Sequence, residues 1–154
     1  MSKQIKINSH RGSYSVEIIG HKESREKQLK ILKEISINSF VIIDRNVFEL
    51  YPQIVANWSK ESLIILEACE ENKTLDKCKL ILTNLIDLGF KKNMKLVAIG
   101  GGVIQDITAF ISSIIFRGVD WFFLPTTLLS QADSCIGSKT SINFNNTKNL
   151  LGTF

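Results

Sequence analysis

Three adjacent glycines, Gly100, Gly101 and Gly102, separate an apolar run ending at Ile99 from a second one beginning at Val103. A strand that turns through glycine into a helix makes an anion site. Glycine lets the backbone approach a phosphate without a Cβ in the way, and the helix start presents unpaired N–H groups and partial positive charge. The spacing is GGG and not GxGxxG, so the usual dinucleotide fingerprint is absent, and a tight turn required only by packing explains the triplet equally well. Asp44, closing an earlier apolar run, has the chemistry to accept hydrogen bonds from a ribose, and aspartate is just as common there as a turn former. From Arg117 onward the chain becomes dense in Thr, Ser, Asp, Lys and Asn, close behind an apolar run that ends at Pro125-Thr126-Thr127. Asp133 offers a carboxylate for sugar hydroxyls, and Lys139, Lys148 and Asn149 offer two cations and an amide for a phosphate. A solvated, turn-rich loop has the same composition.

The elements that must position these residues follow from periodicity. Residues 3–8 and 14–19 alternate polar and apolar around His10-Arg11-Gly12, the pattern of a two-stranded hairpin. From Ser24, a plausible cap, Leu29, Leu32 and Ile35 share one face of an amphipathic helix. Short apolar runs at 39–44 and 62–66 have the length of buried strands, with partly helical chain from Val47 to Trp58 limited by Pro52. Thr74 caps a helix with Leu75, Cys78, Leu82 and Leu85 on its apolar face, closing at Gly89. A strand at 95–99, a helix from Val103 to Phe116 and a strand at 119–124 complete the order. Strands alternating with helices predict an α/β fold with a mostly parallel, helix-covered sheet.

The 154 residues, 44% of them hydrophobic, suit one domain. Basic residues exceed acidic ones by 19 to 15, with no run of five or six like charges, a balance that fits an anionic small molecule as well as nucleic acid. Cys69, Cys78 and Cys135 show no metal-ligand spacing, and nothing at the N-terminus reads as a signal peptide, so a reducing, cytoplasmic setting is expected. The apolar stretch from Ile107 to Leu124 is interrupted by Arg117 and Asp120 and reads as buried helix, turn and strand, not as a membrane span.

Four segments in this order, GGGVIQD, FRGVDW, PTTLLSQADSCIGSK and TKNLLGTF, together resemble the 3-dehydroquinate synthase family of sugar phosphate cyclases; Glu70-Glu71-Asn72-Lys73 resembles that family's GExxK element. The resemblance covers about residues 40–154. It implies a Rossmann-like, NAD-binding N-terminal domain over residues 1–154. Asp44, Glu70, Lys73, Gly101, Gly102, Asp106, Thr126 and Thr127 would surround NAD, with Lys139 and Lys148 also near it. Asp133 would hold substrate hydroxyls, Lys139 and Asn149 would bind phosphate, and Arg117 would reach the substrate phosphate of a neighbouring subunit, which implies a homodimer. The implied activity is that of a carbon–oxygen lyase of the shikimate pathway of aromatic amino acid biosynthesis. It converts 3-deoxy-D-arabino-heptulosonate 7-phosphate to 3-dehydroquinate with loss of phosphate, using NAD and a divalent metal, zinc or cobalt. Neither nucleic acid nor membrane is an expected partner.

The family takes its metal ligands, a glutamate and two histidines, from a helical domain after the position of Phe154. His10 and His21, both before the first helix, are poor substitutes, so the chain is expected to be a fragment without cyclase turnover alone. Four positions depart from the family pattern: Ser138 and Thr147 stand where it has glycine in GGK and GKN, Cys135 replaces a serine, and Gln105 replaces the last glycine of GGGVIGD. Such changes suit a cyclase for a related sugar phosphate, sedoheptulose 7-phosphate or glucose 6-phosphate. The other readings are a non-catalytic NAD-binding or dimerisation module and a metal-dependent alcohol dehydrogenase, against which the DSxxGxK run from Asp133 to Lys139 argues.

Overall fold

The computed structural model describes residues 3–9, 12–19, 25–137 and 139–153. The readings made for His10, His21, Ser24 and Ser138 fall outside these residues. An antiparallel hairpin, β1 (Lys3–Ser9) with β2 (Gly12–Ile18), opens the chain as the alternation predicts. Helix α1 (Arg25–Ser36) follows, and four strands then form one parallel sheet: β3 (Ser39–Asp44), β4 (Leu63–Leu66), β5 (Lys95–Gly100) and β6 (Trp121–Pro125). The crossovers carry α2 (Arg45–Leu50), α3 (Leu75–Asp87) and α4 (Gly102–Ile114), and a second hairpin, β7 (Thr140–Phe144) with β8 (Thr147–Thr153), closes the chain.

Side chains of a strand alternate between faces, and here both faces are apolar because helices cover both. Phe40, Ile42, Leu96 and Ala98 pack in one core with Cys78, Ile81 and Leu85 of α3 and Ile104, Ile107 and Ile111 of α4. Val41, Ile43, Val97 and Ile99 pack in the other, against Ile35 of α1, Val47 and Phe48 of α2, and Trp58. Burial in the first core pushes the Cys78 thiol up to about 12, so it packs as a small apolar group and not as a nucleophile.

Helix α3 begins where Thr74 accepts a hydrogen bond from the Lys77 amide, and it ends in a left-handed Gly89, with the Phe90 N–H donating to the Leu85 carbonyl at 2.8 Å. Its buried face is Cys78, Ile81 and Leu85, whereas Leu75 is largely exposed. On α1 no residue is fully buried; Leu29 stays half exposed, and Ile35 makes the contact with the core. The final parallel strand starts at Trp121, two residues later than its apolar run suggests. Helix α4 gives way at Ile115 to a short turn in which Phe116, Arg117 and Gly118 all have positive φ. The amide of Val119 then bonds back to the Ser112 carbonyl, so this stretch finishes the helix and does not extend the sheet.

Candidate functional site

The sheet order β4-β3-β5-β6 places the second strand of the set on one side of β3 and the third on the other. A crevice opens at the carboxyl ends of the two strands where the winding reverses, here β3 and β5, and ligands of open α/β sheets collect in it. Asp44 ends β3 and the glycine triplet ends β5, so the two features that were separate in sequence meet. A Cβ on Gly100 would stand 3.3 Å from the Asp44 Cβ and 2.6 Å from Cγ1 of Ile104, and one on Gly101 would stand 2.9 Å from Cγ2 of Thr127. Packing therefore demands the first two glycines. At Gly102 a Cβ would meet nothing within 4 Å. Gly101 caps α4 without a side-chain hydrogen bond, so the first-turn amides face the crevice with only the macrodipole behind them. Asp44 uses one oxygen to cap α2 through the Asn46 amide at 3.1 Å.

Thr126 and Thr127 continue the crevice beyond β6. The Thr126 amide donates to the Gly100 carbonyl at 2.9 Å, and Thr127 exchanges hydrogen bonds with Ser130, whose amide donates to the Thr127 hydroxyl at 3.2 Å. This local cap starts the π turn Ser130–Ser134, which carries Asp133.

A polar hub lies one turn along α4. The buried Lys73 ammonium donates to Asp106 Oδ2 at 2.7 Å and to Asn149 Oδ1 at 2.6 Å, with Glu70 Oε1 at 3.8 Å. Asn143 ties the set together: its side-chain amide donates to Glu70 Oε1 at 2.8 Å, and its Oδ1 accepts from the Asn149 backbone N–H at 2.9 Å. The β7–β8 register explains how Asn149 reaches the lysine. Ile142 pairs with Leu151 and Phe144 with Thr147, so Lys148, Asn149 and Leu150 bulge opposite Asn143 alone. Asn149 takes a left-handed φ of 54°, which asparagine tolerates, and although the residue is exposed its Oδ1 meets the Lys73 ammonium. Burial pushes the Asp106 carboxyl above the usual carboxylate range; the hydrogen bond and charge of Lys73 pull it down, and the charge of Glu70 adds to the rise.

Of the candidate residues, Asp44, Gly101, Gly102, Thr126 and Thr127 stand together at the carboxyl ends of β3, β5 and β6, and Glu70, Lys73, Asp106 and Asn149 form the hub. Asp133, Lys139 and Lys148 are exposed on the segments that follow β6. Arg117 lies at the opposite end of α4, about 20 Å from Gly101 at the rise of a 13-residue helix. Asn143 and Ser141, the latter donating to Asn149 Oδ1 at 3.1 Å, are hub members that the polar composition of this stretch conceals. The signal for them was the pair of strand-like runs flanking Asn145-Asn146, a two-residue hairpin loop. A separate open concavity of about 540 Å³, lined by Tyr14, Lys95, Asp120 and Trp121 among others, lies at the amino ends of β5 and β6. It is remote from the polar hub, and the strand ends that hold ligands in such sheets are the opposite ones.

A family profile described as 3-dehydroquinate synthase N-terminal matches residues 63–154. The chain belongs to the 3-dehydroquinate synthase family. It is 38% identical over 157 residues to the 3-dehydroquinate synthase of Pelagibacter ubique, covering 98% of this chain and 42% of that protein. With the Clostridium tetani enzyme of the same name it shares 36% identity over 136 residues, 84% of this chain and 36% of the relative. The chain thus spans less than half the length of the curated relatives it matches. Among solved structures, 2-epi-5-epi-valiolone synthase from Streptomyces hygroscopicus, with NAD+ and Zn2+ bound, superposes with a TM-score of 0.68 at 29% identity, over 75% of this chain and 34% of the other. A 2-deoxy-scyllo-inosose synthase complexed with carbaglucose-6-phosphate, NAD+ and Co2+ shares the fold, with a TM-score of 0.77 at 22% identity, over 100% of this chain and 43% of that one.

The crevice fits a dinucleotide: helix amides without a side-chain cap face open space at Gly102, and an acid ends the neighbouring strand. A divalent metal is not accommodated in the same way. Among the described residues no three His, Cys, Asp or Glu side chains cluster as ligands, and the half-buried Asp106 of the hub is engaged by Lys73. No helix among them is long and apolar enough to cross a membrane.

Proposed function

We propose that residues 1–154 are the N-terminal, NAD- and phosphate-binding domain of a sugar phosphate cyclase of the 3-dehydroquinate synthase type. The reaction is conversion of 3-deoxy-D-arabino-heptulosonate 7-phosphate to 3-dehydroquinate with loss of phosphate. The observation that carries this reading is the meeting of Asp44, the uncapped start of α4 and the Thr126-Thr127 step in one switch-point crevice, with the Lys73 hub one helical turn away. Bound NAD would supply reversible hydride acceptance at a ring carbinol. The chain's own contribution is to bind and orient. The first amides of α4 receive the pyrophosphate, Asp44 receives ribose hydroxyls with the oxygen not used on Asn46, and the hub holds Asn149 and the hairpin against the helix. Asp133 takes sugar hydroxyls, Lys139 and Asn149 take the substrate phosphate, and Lys148 adds positive charge beside the cofactor.

Arg117 cannot serve the same crevice from the far end of α4. Its exposed position supports a role at the site of a second copy, in a homodimer. The metal, zinc or cobalt, would draw its ligands from outside the described residues, so the chain alone is expected to bind NAD without turning over. The 29% identity to a valiolone synthase supports a second reading, a cyclase for another sugar phosphate, and the higher identity to 3-dehydroquinate synthases favours the first.

Calorimetric titration tests the reading. One NAD per folded chain is expected, with no sustained phosphate release when the sugar phosphate and zinc or cobalt are added. A folded chain that takes up no NAD at saturating concentration contradicts it.

A further inference from the structure

Gln105 and Asp106 are neighbours on α4, and they hold different parts of the site. Asp106 holds Lys73, whereas the Gln105 side-chain amide donates to the backbone carbonyl of Ser134 at 2.5 Å. Ser134 ends the π turn that carries Asp133. In this turn the Cys135 amide donates to the Ser130 carbonyl at 3.0 Å and the Ile136 amide to the Asp133 carbonyl at 2.9 Å, and the helix does not continue past Ser134 to offer that residue's carbonyl a later amide. Gln105 supplies the missing donor from a different element, across 29 residues of sequence.

The setting argues against simple space filling. Gln105 is only 6% exposed. Its Oε1 is fully buried without a hydrogen-bond partner among the described residues, as is the Ser134 hydroxyl. An apolar side chain would fill that volume without stranding Oε1, but it would leave the Ser134 carbonyl without this donor, so the donated bond is the feature that distinguishes glutamine here. Glycine, which the family motif has at this position, has no side chain to make it.

We propose that Gln105 is a positioning residue, a strut that fixes the Asp133 turn against the nucleotide-binding helix and so sets the distance between bound NAD and the carboxylate that receives the sugar hydroxyls. The inference rests on the reading of Asp133 given under Proposed function. The strut governs selection of the sugar phosphate and leaves the dinucleotide contacts, one helical turn away on the glycine side, unchanged.

The test is Gln105→Met, which keeps the length of the side chain and removes the donor. In the unliganded chain, amide exchange at Cys135 and Ile136 is expected to quicken about tenfold, the worth of one lost hydrogen bond, with β5 and α3 unaffected. NAD affinity is expected to stay within about twofold, while affinity for 3-deoxy-D-arabino-heptulosonate 7-phosphate, measured with NAD present, falls about tenfold. Exchange unchanged in the variant overturns the strut. A parallel loss of NAD and sugar phosphate affinity also overturns it, because a general structural role moves both. Gln105→Glu, which preserves size and polarity but lacks the donor at neutral pH, replaces the methionine variant if that chain does not fold. A wild-type chain that binds no NAD defeats the nucleotide reading separately, since the exchange measurement needs no ligand.

Discussion

Replacing Gly102 with valine is expected to weaken NAD binding about 100-fold while thermal unfolding stays close to that of the wild type. A Cβ at this position meets none of the surrounding atoms within 4 Å, so the side chain enters open space by the first amides of α4, where the proposed pyrophosphate would sit. A loss of that size is about 2.7 kcal/mol of binding free energy. Gly100 gives the opposite result. Alanine there is driven into Ile104 at 2.6 Å and toward Asp44, an overpacking that costs about 1–3 kcal/mol of stability and is read in the unfolding midpoint before any ligand is added. Titration and thermal melts of the two variants therefore separate the glycine that the fold requires from the glycine that the ligand requires.

Lys73→Met is expected to lower the unfolding midpoint by about 10 °C at neutral pH. It removes the buried ammonium and leaves the half-buried Asp106 carboxylate without its donor, while Asn149 Oδ1 keeps only the Ser141 hydroxyl, a change worth about 3 kcal/mol in buried sites. The deficit should shrink in acid. The folded pKa of Asp106 lies above its ordinary 3.8, so between those two values the native state holds more protons than the unfolded chain. The associated stability is fully present below the unfolded value and is lost as pH rises through the folded one. Removing Lys73 takes away the influences that pull this pKa down, which widens the window. Melts from pH 4 to 8 check the slope. A second substitution, Asp106→Asn in the Lys73→Met background, should recover part of the loss because no uncompensated charge remains.

Much of the scaffold was legible because it depends on local periodicity. The strands at Ser39–Asp44 and Lys95–Gly100 and the helix from Leu75 to Asp87 are each a run of one period with a recognisable end: an aspartate, a glycine turn, a threonine cap. The switch point was not legible in any one segment, since it comes from the order in which strands join the sheet. Only that order makes Asp44 and Gly100 neighbours. The β7–β8 hairpin was hidden for a different reason. Its strands mix polar and apolar residues, Ser141, Asn143 and Asn149 turn to the hub, and the bulge at Lys148–Leu150 breaks the alternation that would have marked them. Asn143 went unread as a consequence. Lys73 and Asp106 were carried in by family resemblance, but their mutual hydrogen bond spans 33 residues and follows from how the loop at Glu70–Asn72 meets α4. At Phe116–Gly118 three consecutive positive φ values end the helix in a way that hydrophobicity does not signal.

Backbone amide resonances followed during addition of NAD test the site most directly. Saturable shifts centred on Gly101, Gly102 and Val103, with a second group at Asp44–Asn46, are the result expected of a dinucleotide seated at the switch point. Shifts confined to the Tyr14, Lys95 and Trp121 concavity at the other end of the sheet, with the glycine amides unmoved at saturation, would contradict the account.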